Sequence, residues 1–75
     1  LTGTGIGGDG GPPLTPRELD VLVQVALGCT NVEAGQRLSL KPGTVKSYLR
    51  SAATKLGTRT RYESVSRARL LRLIP

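Results

Sequence analysis

Residues 30–57 read TNVEAGQRLSLKPGTVKSYLRSAATKLG, and the punctuation of this stretch decides the fold. Thr30 followed by Glu33 predicts a capping box, the hydroxyl accepting from the third helical N–H while the carboxylate reaches back to the cap. A short helix is expected from there to about Leu38. Pro42-Gly43-Thr44 opens a further helix, because proline supplies a helical φ where its missing N–H is not needed. Gly57 offers the left-handed residue that stops it. Only Ser39-Leu40-Lys41 separates the two helices. Helices joined so tightly cross at a steep angle, which is the helix-turn-helix geometry.

The longer helix of this pair has two faces. At roughly 100° per residue, Val45, Leu49, Ala52, Ala53 and Leu56 share one sector and are expected in the core. Lys46, Ser47, Arg50, Ser51 and Thr54 cover the opposite side, with Tyr48 and Lys55 at its edge, and no acidic residue interrupts it. A cationic, hydrogen-bonding face of this kind fits the major groove of double-stranded DNA, where Lys and Arg donate to guanine O6 and N7. A solvated amphipathic helix carries the same pattern, so this face alone leaves both readings open.

Working outward, Thr15-Pro16-Arg17-Glu18 combines a capping hydroxyl, a proline at the first helical position and a glutamate three residues after the cap. Leu19, Leu22, Val23 and Ala26 follow at helical spacing, with Gly28 as the stop. Thr60 and Glu63 predict another capping box, leading into Val65, Ala68, Leu71 and Leu73-Ile74. No segment shows sustained two-residue alternation. The expected fold is all-α, a four-helix helix-turn-helix domain over residues 14–75. Residues 1–13 hold most of the chain's glycines and no apolar periodicity, and read as a flexible linker. Gly3, Gly5 and Gly8 satisfy a dinucleotide-binding spacing, but Gly10-Gly11-Pro12-Pro13 follows where a helix would have to begin, so the match is one of chance. Because the chain starts at Leu1 and contains no methionine, it is expected to be cut from a longer protein with an N-terminal regulatory domain.

Composition narrows the function. Seventy-five residues allow one small domain, and the absence of Phe, Trp and Met leaves a core of Leu, Val and Ala. No run of about 20 apolar residues exists to span a membrane. A single cysteine, Cys29, with no histidine cannot build a disulfide or a zinc site, and Cys29 reads as a small loop residue. One thiol and five scattered carboxylates are a poor kit for acid–base or nucleophilic catalysis, so neither an enzyme nor a cofactor is expected. The net charge of +6 is unevenly placed: residues 41–75 carry nine basic groups against Glu63 alone, while residues 1–40 are slightly acidic. That asymmetry points to a polyanionic partner. A cationic helix lying on a membrane surface would place Trp or Phe on its apolar face, and none exists.

The motifs Leu14-Thr15-Pro16-Arg17-Glu18, Val21-Leu22, Gly28, Thr30-Asn31-x-Glu33, Gly43-Thr44-Val45-Lys46-x-x-Leu49, Lys55-Leu56-Gly57 and Arg61-x-Glu63 stand in one order and spacing. With Val65 and Ala68 they make the chain resemble the LuxR/FixJ-type helix-turn-helix domain of bacterial transcription regulators. The resemblance implies a third helix that reads DNA and a fourth that often supplies a dimer contact. By position, it implies base contacts from Lys46, Ser47 and Arg50. Asn31, Lys41, Thr44, Tyr48 and Lys55 are the expected phosphate contacts. The chain departs from the family at Ala34, usually a large aliphatic, and at Gly35, usually alanine, and both changes are expected to weaken the second helix. Val32 stands where lysine is common, and Lys41 where a serine cap is frequent.

Glu18 is expected to serve as a cap partner rather than as a contact for RNA polymerase. Leu70, Leu71 and Leu73 are too apolar for one narrow buried stripe, so Leu70 and Leu73 are expected at a dimer interface. The function expected is that of a DNA-binding output domain of a cytoplasmic regulator, acting as a homodimer on DNA, with RNA polymerase as a further candidate partner. The competing reading is a helical protein-interaction module without specific DNA binding.

Overall fold

The computed structural model describes residues 13–75. The expected linker and its chance glycine spacing lie, apart from Pro13, outside the described residues. Four helices follow one another: α1 Pro16–Ala26, α2 Asn31–Leu38, α3 Pro42–Leu56 and α4 Arg61–Leu70. Among the described residues there is no strand, and the fold is all-α as expected.

The helix starts are set by short-range hydrogen bonds. Thr15 and Thr30 each accept from the third helical N–H while Glu18 and Glu33 accept from the cap N–H, so both capping boxes close. The box expected at Thr60 is half made. Thr60 Oγ1 accepts from Glu63 N–H at 3.1 Å, but the Glu63 carboxylate accepts from Arg59 N–H at 2.8 Å rather than from Thr60. The carboxylate thus closes the turn one residue earlier. α3 starts at Lys41 with no side-chain cap, and Pro42 supplies the helical φ.

All four helices end the same way. A residue of positive φ follows the last turn, and the next N–H returns to a carbonyl five residues back: Cys29 to Gln24, Leu40 to Gly35, Thr58 to Ala53 and Leu73 to Ala68. Gly28 and Gly57 fill the left-handed position in two of them, whereas Ser39 (φ 58°) and Arg72 (φ 59°) fill it in the others. An L-residue there is disfavoured by about 1–2 kcal/mol, partly offset by the greater freedom glycine would have in the unfolded chain. Ser39→Gly is therefore expected to stabilise the domain by about 0.5–1 kcal/mol, read as a rise of several degrees in the thermal midpoint. An unchanged midpoint would show that the serine is not strained.

The stop at Arg72 corrects the expected burial of the last segment. With the helix closed at Leu70, the chain turns back, and Ile74 is buried while Leu71 and Leu73 remain exposed. The core is made of Val21, Leu22 and Val25 of α1, Ala34 of α2, Val45, Ala52 and Leu56 of α3, Val65 and Ala68 of α4, and Ile74. α3 packs against all three other helices. Leu49 and Ala53 are half-buried beside its core residues, so the inner sector of α3 is the one read from the sequence.

Gly35 corrects a second expectation. A Cβ at this position would run into the Leu40 carbonyl oxygen, and Leu40 N–H donates to the Gly35 carbonyl at 2.8 Å. The missing side chain is what lets the turn between α2 and α3 lie directly on α2. Ala34 beside it is fully buried and belongs to the core.

Candidate nucleic-acid interface

The position of α3 is fixed by a polar contact through its flank. Glu18, 3% exposed, accepts from Thr15 N–H at 2.7 Å, from Ser51 Oγ at 2.5 Å and from Lys55 Nζ at 2.9 Å. Burial alone would raise the carboxyl pKa, but the Ser51 hydroxyl, the Thr15 amide and the Lys55 ammonium together outweigh it and hold the group at about 2. One carboxylate thus caps α1 and ties it to two successive turns of α3. Ser51, read from the sequence as part of the outward face, is half-buried and belongs to this contact. The signal lay in the spacing: Ser51 and Lys55 stand four residues apart and so share one strip of the helix.

The remaining outward residues of α3 are free of the core. Lys46, Ser47, Arg50 and Thr54 are exposed. Among the described residues the ion pairs are Lys55–Glu18 and Arg17–Asp20, so neither Lys46 nor Arg50 has a carboxylate partner. Thr54 Oγ1 donates to the Arg50 carbonyl at 3.0 Å and is occupied within the helix. Lys46 and Arg50 line one wall of an open groove of about 460 Å³, and Arg59 and Arg61 line the other. Asn31, at the start of α2, reaches the same groove. Its Oδ1 accepts from Arg61 Nη2 at 2.7 Å.

The other expected phosphate contacts stand apart from that groove. Lys41 is exposed at the start of α3, Thr44 is half-buried one turn on, and Tyr48 is half-buried with its ring against the core. Lys55 turns inward, its ammonium shared between Glu18 and the Pro13 carbonyl at 3.3 Å. Leu70, 78% exposed, lines a separate groove with Tyr62, Gly57 and Arg67, and Leu73 is exposed beyond it. Arg59 and Arg61 are the groove residues that sequence reasoning missed. Neither belongs to the helix-turn-helix pair: Arg59 lies in the link after α3, and Arg61 opens α4.

No helix of the described residues is long and apolar enough to cross a membrane. The sequence matches the family model for bacterial regulatory proteins of the luxR family over residues 12–68. Sixty-two residues, 83% of the chain, are 56% identical to the HTH-type transcriptional activator RamA of Corynebacterium glutamicum, covering 22% of that protein. Fifty-seven residues, 76% of the chain, are 42% identical to the transcriptional regulatory protein DesR of Bacillus subtilis, covering 29% of it. The response regulator RamR of Streptomyces coelicolor is 42% identical over 53 residues, 71% of the chain and 26% of that protein. The chain thus spans less than a third of the length of each of these relatives. No solved structure gives a significant match. The family match runs from the residues just before α1 into α4, through the whole helix-turn-helix pair, and the chain belongs to the luxR family of bacterial regulatory proteins.

Proposed function

We propose that this chain is the DNA-binding output domain of a bacterial transcription regulator, acting in the cytoplasm without cofactor or catalysis. The observation that carries the reading is the outward face of α3. There Lys46, Ser47 and Arg50 are exposed and free of carboxylates, on a helix whose opposite face is locked into the core. Basic groups dock on phosphates through long-range attraction, α3 enters the major groove, and Lys46, Ser47 and Arg50 meet base edges. Asn31, Lys41, Thr44 and Tyr48 contact the backbone. Lys55 serves mainly to hold α3 against α1, since its charge is engaged by Glu18. The whole protein joins this domain, through residues 1–13, to an N-terminal regulatory domain, and contact with RNA polymerase belongs to that longer molecule.

The test separates two kinds of basic residue. Arg50→Ala is expected to lose about 1–3 kcal/mol on a selected operator and to relax preference at one base pair. Lys41→Ala is expected to weaken every sequence alike and to lower the salt slope by about one. Titrating each variant against operator and scrambled duplex at several salt concentrations reads both quantities. If alanine at both Lys46 and Arg50 left affinity and selectivity unchanged, α3 would not be the reader, and a protein-interaction module would be the better description.

Specific recognition uses two copies on half-sites about one helical turn apart, with Leu70 and Leu73 of each copy in contact. These leucines are 78% and 43% exposed, so alanine at either is expected to weaken pairing on DNA while leaving the thermal midpoint of the single domain nearly unchanged. Sedimentation with and without operator reads the first and thermal melting the second. A midpoint that fell as far as the affinity would make them ordinary packing residues.

A further inference from the structure

We infer that the groove between α3 and the start of α4 holds a backbone phosphate of the bound duplex, with Arg59 and Arg61 as its ligands and Arg61 also positioning Asn31. The inference rests on the DNA-binding reading and adds to it a set of contacts outside the helix-turn-helix pair. Its starting point is the chemistry of the groove walls. Lys46, Arg50, Arg59 and Arg61 all line it, and no carboxylate does. Glu63, the acidic residue of α4, lines the separate groove beside Tyr62 and Leu70.

The neutral groups along these walls are already committed. The Thr58 and Ser64 hydroxyls lie 2.8 Å apart in one hydrogen bond, and Thr60 Oγ1 accepts from Glu63 N–H at 3.1 Å. The charged capacity facing the space is therefore that of donors alone. Arg61 sharpens this further. Because its Nη2 fills the Asn31 oxygen at 2.7 Å, the Asn31 amide is oriented with its two N–H donors directed away from Arg61. A guanidinium that has given one N–H still has others in its fork. Such a set matches an anion with several acceptor oxygens, and a charge-assisted N–H to phosphate contact is about twice as strong as a neutral one. Since Lys46 and Arg50 form the facing wall, the phosphate is one flanking the base pairs they reach.

The experiment measures affinity for operator and scrambled duplex against salt, with thermal melting of each variant alongside. Arg59→Ala removes an exposed side chain and is expected to lower the salt slope by about one on both duplexes, with melting unchanged. Arg61→Ala is expected to lower the slope by at least as much and to weaken both duplexes about tenfold. Asn31→Ala should weaken binding in the native background yet add less than about twofold when Arg61 is already alanine, because the amide then has no fixed orientation. A purely structural role for Arg61 would shift melting and leave the slope alone. Unchanged slopes in Arg59→Ala and Arg61→Ala, with duplex binding by the native chain intact, overturn this inference and leave the DNA-binding reading standing. Failure of the native chain to bind any duplex removes both. Should Arg61→Ala not fold, the slope of Arg59→Ala decides on its own.

Discussion

Glu18→Ala is expected to destabilise the domain by about 3–5 kcal/mol, because it removes one partner of a buried ion pair and leaves the other without compensation. Three donors lose their acceptor at once: Thr15 N–H, Ser51 Oγ and Lys55 Nζ. The lower end of the range is favoured, since the Lys55 side chain is 19% exposed and can turn its charge toward water. The same group sets an acid limit. Its pKa in the fold lies at about 2, below the ordinary 4.5, so the carboxylate is bound more tightly in the folded chain than in the unfolded one. Its stabilisation is therefore complete above about pH 5 and is lost as pH falls toward 2. At about 1.4 kcal/mol per unit the full contribution is about 3 kcal/mol. Urea unfolding between pH 7 and pH 2.5 should show this fall in the native chain and a lower, flatter profile in Glu18→Gln. Parallel profiles would assign the acid sensitivity to other carboxylates.

Gly35→Val is expected to cost about 3 kcal/mol, at the upper end of what overfilling a packed site produces. The obstacle is backbone: the Leu40 carbonyl oxygen occupies the space a Cβ would need, and Leu40 N–H is held to the Gly35 carbonyl. The turn cannot back away without breaking the bond that ends α2. Alanine meets the same oxygen but gains about 1 kcal/mol of helix propensity over glycine, so its net loss is expected to be smaller than that of valine. Thermal melting of the two variants orders them, and a valine variant as stable as the native chain would show that the turn has room to move. In the DNA-binding reading the same variant should also weaken operator binding, because the turn sets the angle between α2 and α3.

The helix boundaries were legible because their causes are local. A threonine, a glutamate three residues on, a proline at the first helical position and a glycine at the stop act through neighbours in sequence, and α1 and α3 begin and end, and α2 begins, as those residues indicate. The inner sector of α3 was legible for the same reason of periodicity. What failed to show was chemistry assembled across elements. Glu18 is a cap in the sequence and, in the fold, a cap that also accepts from two side chains of α3, and no local pattern links it to Ser51, 33 residues away. Gly35 looked like a weakness because propensity scales do not register a carbonyl that approaches from the following turn. Arg72 carries no signal for a left-handed stop, so the exclusion of Leu71 from a core that keeps Ile74 was invisible. In the candidate interface, the residues on α3 could be named in advance. Arg59 and Arg61 could not, since they lie outside the helix-turn-helix pair, in the link after α3 and at the first residue of α4.

α3 packs against every other helix, while Lys46, Ser47 and Arg50 on its outer side stay exposed. Its two faces consequently stand under different constraints. A change at Val45, Ala52 or Leu56 disturbs the shared core, whereas Lys46, Ser47 and Arg50 lie outside it. In the DNA-binding reading, the outward triplet can be rewritten over generations while the scaffold stays constant, so that one small architecture carries many different addresses. The same division gives a practical recipe: libraries randomised at these three positions should consist largely of folded proteins, and selection on them would sort recognition rather than stability.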